Sequence, residues 1–172
     1  MLRFNIPDIL SAFFPREERI VFTVFRDPLC NFEIYHPKGW KYDKNIAVVD
    51  GKYTVSFASR DNQFTIAVDA SLPAGFDFNK YAKAELESPE SGIHASIKKQ
   101  RFRGMPAYRR EYSYSSGGKD YFGGGLMFFT GKAVFSLSWS APEADREKME
   151  AVFGHMLDKL KLYEGFSIRK KK

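Results

Sequence analysis

The sequence predicts an α+β fold, a central antiparallel sheet of about six to seven strands flanked by helices as an α/β/α sandwich and closed by a long C-terminal helix. Three observations carry this expectation. Between residues 32 and 140 apolar and polar residues mostly alternate, the two-residue period of half-buried strands. Short turn signals, Asp50-Gly51, Gly117-Gly118 and Gly131-Lys132, separate successive runs, so consecutive strands are expected to pair as antiparallel neighbours. The period changes to helical spacing twice, after Asp77 and after Trp139.

Residues 1–19 place Ile6, Ile9, Leu10, Phe13 and Phe14 at helical spacing around Pro7, which predicts a short amphipathic helix ended by Pro15. Ile20–Phe25 is apolar and β-branched and reads as a strand, broken by Asp27-Pro28. In Phe32–Trp40 (FEIYHPKGW), Phe32, Ile34 and His36 alternate with Glu33 and Tyr35 before a Pro-x-Gly-Trp exit. Ile46–Val49, Asp50-Gly51 and Tyr53–Ala58 read as a hairpin. Phe64, Ile66, Val68 and Ala70 then mark a strand with one buried face. Asp77 is placed to cap a helix running to Glu87, with Phe78, Tyr81, Ala82 and Leu86 inward, closed by Ser88–Gly92. Strands follow at Ala95–Arg103, Ala107–Ser115, Tyr121–Phe129 and Ala133–Ser140. For the last helix, Ser140 and Glu143 stand at capping-box spacing, and Met149, Val152, Phe153, Met156, Leu157 and Leu160 form one apolar stripe. Gly165 is the expected stop.

The 172 residues suit one domain, and 44% hydrophobic and 16% aromatic content favour a packed core over disorder. The division expected is residues 1–29 as an N-terminal extension of short amphipathic helix plus strand, 30–165 as a single domain, and 166–172 as a basic tail. Cys30 is the one cysteine, so intrachain disulfides and cysteine-rich zinc sites are excluded. The N-terminal residues lack signal-peptide architecture, and no run approaches the roughly 18 apolar residues of a membrane span. A cytoplasmic location is expected.

Phe32–Trp40 with Pro37-Lys38-Gly39-Trp40, the strand pair ending at Ala70, the helix around Tyr81, Gly104 with Ala107-Tyr108, and the Trp139-Ser140-Ala141-Pro142 entry to the last helix together resemble the PsbP-like/Mog-like fold family. That family includes the photosystem II extrinsic P subunit, Ran-binding Mog proteins and related bacterial domains. The resemblance covers roughly residues 30–163. It implies an antiparallel sheet with helices on both faces, and a protein that binds other proteins and is not one of a catalytic class. Residues 1–29 have no counterpart in it.

Chemical signals are sparse. His36, His94 and His155 show no metal-ligand spacing, Cys30 has no local signature of a nucleophile, and Asp61, Asp69 and Asp77 read as solvated or loop residues. Gly123-Gly124-Gly125 with Gly131-Lys132 departs from a phosphate loop in spacing and lacks its Ser/Thr. The glycines read as a bulge, a bend, or a groove that admits another backbone or, beside Tyr and Trp, a small ligand. The net charge of +6 is concentrated, with six cations and no acid in residues 98–110. There Lys98, Arg101, Arg103, Arg109 and Arg110 interleave with Tyr108, Tyr112 and Tyr114, the candidate partner-binding surface. The expected function is a non-enzymatic protein-binding or accessory module, adaptor or chaperone-like, without catalytic, cofactor or metal residues. Its partner is expected to be a protein and acidic. A nucleic-acid-associated role through the same strands and a small-ligand-binding domain are the alternatives. Residues 1–29 are a candidate homodimer contact.

Overall fold

The computed structural model describes residues 20–47, 52–86 and 94–163. Among the described residues ten strands and two α-helices follow one another in the order β1 (Phe22–Asp27), β2 (Phe32–Pro37), β3 (Lys41–Ala47), β4 (Lys52–Ser59), β5 (Asn62–Asp69), α1 (Phe78–Leu86), β6 (His94–Phe102), β7 (Met105–Ser116), β8 (Lys119–Phe129), β9 (Val134–Pro142), α2 (Arg146–Lys159) and β10 (Lys161–Leu162). The class is α+β. Seven strands form one sheet in the order β3-β4-β5-β9-β8-β7-β6, with every neighbouring pair antiparallel. β1, β2 and β10 form a separate three-stranded sheet. The strand expected at Ile20–Phe25 is therefore β1, hydrogen-bonded along its length to β2 from Phe22↔Pro37 to Asp27↔Phe32.

Strand alternation sorts the large sheet into two faces. Tyr53, Val55 and Phe57 on β4, Phe64, Ile66 and Val68 on β5, Phe122, Leu126 and Phe128 on β8, and Phe135, Leu137 and Trp139 on β9 share one core with Phe32 and Ile34 of β2 and the stripe of α2. The opposite face carries Met127 and Val134, which pack with Phe78 and Ala82 of α1. The six stripe residues Met149 to Leu160 are all buried, which contributes about 10 kcal/mol before ordering costs. The FEIYHPKGW segment behaves as its alternation predicts at Phe32, Ile34 and His36, all buried, and Trp40 closes the turn by donating its N–H to the Pro37 carbonyl at 3.1 Å.

Asp77 caps α1 as expected: its Oδ1 accepts from the Asn79 N–H at 2.9 Å and the Lys80 N–H at 3.2 Å. Two hairpin turns use the left-handed region at both central positions, Arg103-Gly104 (φ 51° and 82°) and Gly117-Gly118 (φ 58° and 74°), the geometry whose twist matches paired strands. The hairpin expected around Asp50-Gly51 forms, as β3 pairs β4 from Lys41↔Ala58 to Ala47↔Lys52. The turn itself, the N-terminal helix at 1–19, Ser88–Gly92, Gly165 and the basic tail lie outside the described residues.

The capping box expected at Ser140 does not form. Ser140 lies within β9, opposite Gln63 and Gly123, so the ladder holds its backbone. A 3₁₀ turn at Glu143–Asp145 precedes α2, and neither helix start makes a side-chain cap hydrogen bond. Nor does α2 run on towards Gly165. It ends at Lys159, where Leu160 turns to extended backbone (ψ 125°) and β10 begins.

Candidate functional site

The basic segment 98–110 folds as the β6–β7 hairpin at one end of the large sheet. Among the described residues β6 is an edge strand, and Ser96 to Lys99 and Arg101 are exposed on it. Register decides what each candidate residue faces. Lys98 stands opposite Arg109, Lys99 opposite Tyr108, and Ile97 opposite Arg110. Arg109 shares the parity of the buried Ala107, so Lys98 and Arg109 belong to the face that packs α2. Tyr108, Arg110, Tyr112 and Tyr114 belong to the face that packs α1.

On the α1 face the side chains form a ladder. The Tyr108 hydroxyl donates to Asn79 Oδ1 at 2.9 Å, its ring lies 5.8 Å from Phe78, and the Lys99 ammonium sits 5.9 Å above it. The Arg110 guanidinium covers the Tyr112 ring at 4.9 Å, and its Nε is buried without a hydrogen-bond partner. Tyr112 and Tyr114 rings lie 6.1 Å apart, and Tyr114 stacks on Tyr121 at 5.1 Å. On the α2 face Arg109 donates to Glu111 at 3.1 Å and lies 5.6 Å over the Trp139 ring. The structure thus brings the tyrosines and Arg110 together and sets Lys98 and Arg109 behind them.

Arg101 donates to the Gly104 carbonyl at 2.8 Å across the turn. Arg103 is turned away from the edge. Its guanidinium donates to the carbonyls of Leu157 at 3.1 Å, Asp158 at 2.8 Å and Leu160, the last carbonyls of α2. A cation at this end of a helix satisfies acceptors that have no partner within the helix and opposes the negative end of its dipole. Arg103 therefore fastens the hairpin to α2.

The glycine run is neither a bulge nor an opening for a foreign backbone. The ladders run through Gly123, Gly124 and Gly125 without a slip. A Cβ on Gly123 would stand 2.5 Å from the Tyr112 ring and 2.6 Å from the Trp139 carbonyl, and one on Gly124 would stand 2.5 Å from Trp139 Cε2. The protein's own rings fill the space of the missing side chains, one on each face. Beside them, between β7–β8 and α2, lies a half-open cleft of about 710 Å³ whose lining includes Arg109, Glu111, Trp139, Arg146, Glu150 and Gly154. Arg146 lies 4.5 Å over Phe122 and bridges Glu143 at 2.7 Å and Glu150 at 3.0 Å.

Three titratable groups that sequence spacing left open, His36, His155 and Cys30, are packed. His36 is buried, 4.8 Å from the Phe57 ring, and burial favours its neutral form. The His155 ring lies 4.1 Å from that of Phe22, tilted against it. His94 lies in β6. Cys30 is buried, and desolvation, with the charge of Asp27, pushes its thiol up to about 12. Among the described residues no three His, Cys, Asp or Glu side chains are grouped to hold a metal.

Two buried acids were not singled out by sequence. Asp27 accepts from the Leu29 and Cys30 N–H groups at 2.9 and 2.8 Å and from the Tyr53 hydroxyl, with Lys44 at 3.7 Å. It ties the β1–β2 turn to the large sheet. Glu33, at the solvent phase of the β2 pattern, is 1% exposed. Arg26 on β1 and Lys161 on β10 stand directly opposite it and bind it at 2.7 and 2.9 Å, and Tyr163 donates to it at 3.1 Å. Lys161 chiefly holds its carboxyl below the usual range, with Arg26 and Tyr163 helping against the cost of burial. The sequence signal for Glu33 was its place in the centre of a strand, which means little until β10 is known to pair there.

Comparison with solved structures finds the same architecture elsewhere. Cyanobacterial PsbP (CyanoP) from Synechocystis sp. PCC 6803 is similar over 87% of this chain and 97% of its own, with a TM-score of 0.60 at 13% identity. A Pseudomonas aeruginosa protein of unknown function matches over 84% of this chain and 99% of its own, with a TM-score of 0.54 at 18% identity. LpqN of Mycobacterium tuberculosis, involved in cell envelope biogenesis, covers 84% of this chain and 92% of its own, with a TM-score of 0.52 at 18% identity. The chain has a PsbP-like fold. No family model and no curated protein sequence matches it.

Proposed function

We propose that this protein is a non-enzymatic, cytoplasmic protein-binding module, an adaptor or chaperone-like factor that works without a cofactor, and that its docking surface is the cationic β6–β7 edge. One observation carries the reading. β6 ends the large sheet with Ser96 to Lys99 and Arg101 exposed, and Arg109 and Arg110 stand on the strand beside it. Cations gathered on an open edge favour an acidic partner and raise its rate of encounter. The Mog side of the sequence resemblance and its α/β/α layering, with α1 and α2 as outer layers, support the same reading. The nucleic-acid alternative is weakened by the side chains it needs: Arg103 is committed to α2, and Tyr108 and Tyr112 bond to Asn79 and the Trp139 carbonyl.

The test is capture from extracts of the protein's own cells with the tagged wild type and with a Lys98→Glu/Lys99→Glu variant. A protein retained at low and moderate salt by the wild type and lost by the variant is the expected result. Recovery of no protein under either condition overturns the reading. The cleft of about 710 Å³ floored by Trp139 favours small-ligand binding as a second reading. A ligand held there raises the thermal midpoint, since it prefers the native state.

A further inference from the structure

We infer that β6 accepts an extended acidic segment of a partner protein as an eighth strand, its backbone bonding to β6 and its carboxylates alternating onto the cations of both faces. This rests on the protein-binding reading above and adds the partner's chemistry and its mode of binding.

An edge strand presents one side of its N–H and C=O groups unpaired, a template for another strand. β6 is nine residues long, and its register with β7 is unbroken from His94↔Ser113 to Phe102↔Met105, so no bulge interrupts the template it offers to a partner of similar length. Edges of this kind are commonly protected by charge, and here every charge protecting it has one sign: Lys98, Lys99 and Arg101.

The sign selects the occupant. A two-fold pairing of β6 with a second copy, centred on the strand, sets Lys98 opposite Lys98, and like charges directly opposite destabilise a ladder. An added strand with carboxylates at neighbouring positions, which point to opposite faces, meets the opposite situation. On the α2 face its acids reach Lys98, with Arg109 directly behind it. On the α1 face they reach Lys99 and Arg101, with Arg110 behind Ile97. Ile97 is 40% exposed and offers an apolar contact between the cations. In strand addition the backbone supplies affinity and alternate side chains supply specificity.

The other long edge of this sheet does not offer the same template. β3 (KYDKNIA) carries an acid, Asp43, and its Lys44 is drawn towards Asp27 at 3.7 Å and lies 4.8 Å over the Phe25 ring. In the small sheet β10 has two residues, and Arg26 of β1 is paired with Glu33.

The experiment uses the full chain and a fluorescein-labelled nine-residue peptide that repeats Glu-Glu-Val, which sets glutamates on both faces of an extended strand and matches β6 in length. A control peptide carries proline at each valine. It keeps the charge but lacks the N–H groups a ladder needs. Fluorescence anisotropy at low salt is expected to show binding of the valine peptide and weakening by at least ~10-fold for the proline control. Lys98→Glu/Lys99→Glu is expected to abolish binding of the valine peptide without moving the circular dichroism spectrum. Hydrogen exchange on the wild type, which needs no variant, is expected to show new protection in β6 on peptide addition. Equal affinity for both peptides, lost in the variant, overturns strand addition and leaves the basic protein-binding surface standing. Displacement of the peptide by a single-stranded oligonucleotide, or dimerisation of the chain through β6, overturns the assignment of the occupant. Binding of neither peptide, together with no partner captured from cells, overturns both this inference and the reading beneath it.

Discussion

Adding one methyl group to each of the three adjacent glycines of β8 is expected to be costly at two of them and nearly free at the third, because they meet different neighbours. At Gly124 the new carbon would stand 2.5 Å from Trp139 Cε2 and 2.8 Å from its Nε1. Trp139 is 5% exposed, stacked 6.2 Å from Phe64 and packed 6.2 Å from Phe153, so two rings resist a shift of its indole. Overpacking a rigid site costs about 1–3 kcal/mol, and replacing glycine returns about 0.4–1 kcal/mol through the unfolded chain. Gly124→Ala should therefore lose about 1 kcal/mol, a fall in the thermal midpoint of roughly 2–4 °C for a chain of this length. At Gly125 the nearest atoms are the Leu137 carbonyl at 3.4 Å and Arg110 Cβ at 3.9 Å. That is ordinary contact, and Gly125→Ala should be neutral or slightly stabilising. Gly123→Ala meets the Trp139 carbonyl at 2.6 Å, a backbone atom fixed in the ladder, and belongs with Gly124→Ala.

Urea unfolding of the three variants, followed by circular dichroism, measures the differences. A double-mutant cycle makes the cause explicit. In the presence of Trp139→Leu, the cost of Gly124→Ala should shrink by about 1 kcal/mol or more, since the group it collides with is gone. If Gly124→Ala and Gly125→Ala cost the same, or if Trp139→Leu leaves the cost of Gly124→Ala unchanged, the view that Trp139 occupies the place of a side chain is wrong. The glycines would then be better explained by backbone flexibility or by access for another molecule.

Other expectations follow from the polar contacts. Arg103→Ala should lower stability by about 1–2 kcal/mol through the loss of the last α2 carbonyl partners, and Arg103→Lys should restore little, because a single ammonium cannot span three carbonyls as the planar fork does; thermal unfolding compares the two. Ionised Glu33 stabilises the fold above its unfolded value of 4.5, and this contribution is lost as pH falls through the lower folded value. Glu33→Gln should therefore lie below the wild type at neutral pH, with the gap closing in acid, read as urea midpoints across that range. Cys30, with its thiol pushed up to about 12 and the residue 1% exposed, should react with a disulfide reagent only as fast as the protein opens; rapid stoichiometric labelling of the folded protein would contradict its buried placement.

What the sequence made legible is what neighbouring residues decide between themselves. The alternation of Phe64, Ile66 and Val68, the stripe from Met149 to Leu160 and the cap at Asp77 all depend on spacing within one element, and each recurs in the structure. The failures share a different origin. Ser140 fits a capping box by spacing, but its backbone is claimed by β5 and β8, strands remote in sequence. Glu33 reads as solvent-facing until Lys161, 128 residues away, arrives beside it. Arg103 reads as one cation in a patch until it reaches the Leu160 carbonyl, 57 residues on.

The candidate surface shows how far such reasoning reaches. A run of cations in a strand looks like one patch in sequence, yet adjacent residues point to opposite faces, so Arg109 and Arg110 cannot serve the same flat contact. The division weakens any picture of a ligand lying on one side of the sheet. It suits an extended strand, because such a chain also presents its side chains alternately to both faces. The alternation that splits the basic patch is thus the property that an acidic segment added at β6 would match.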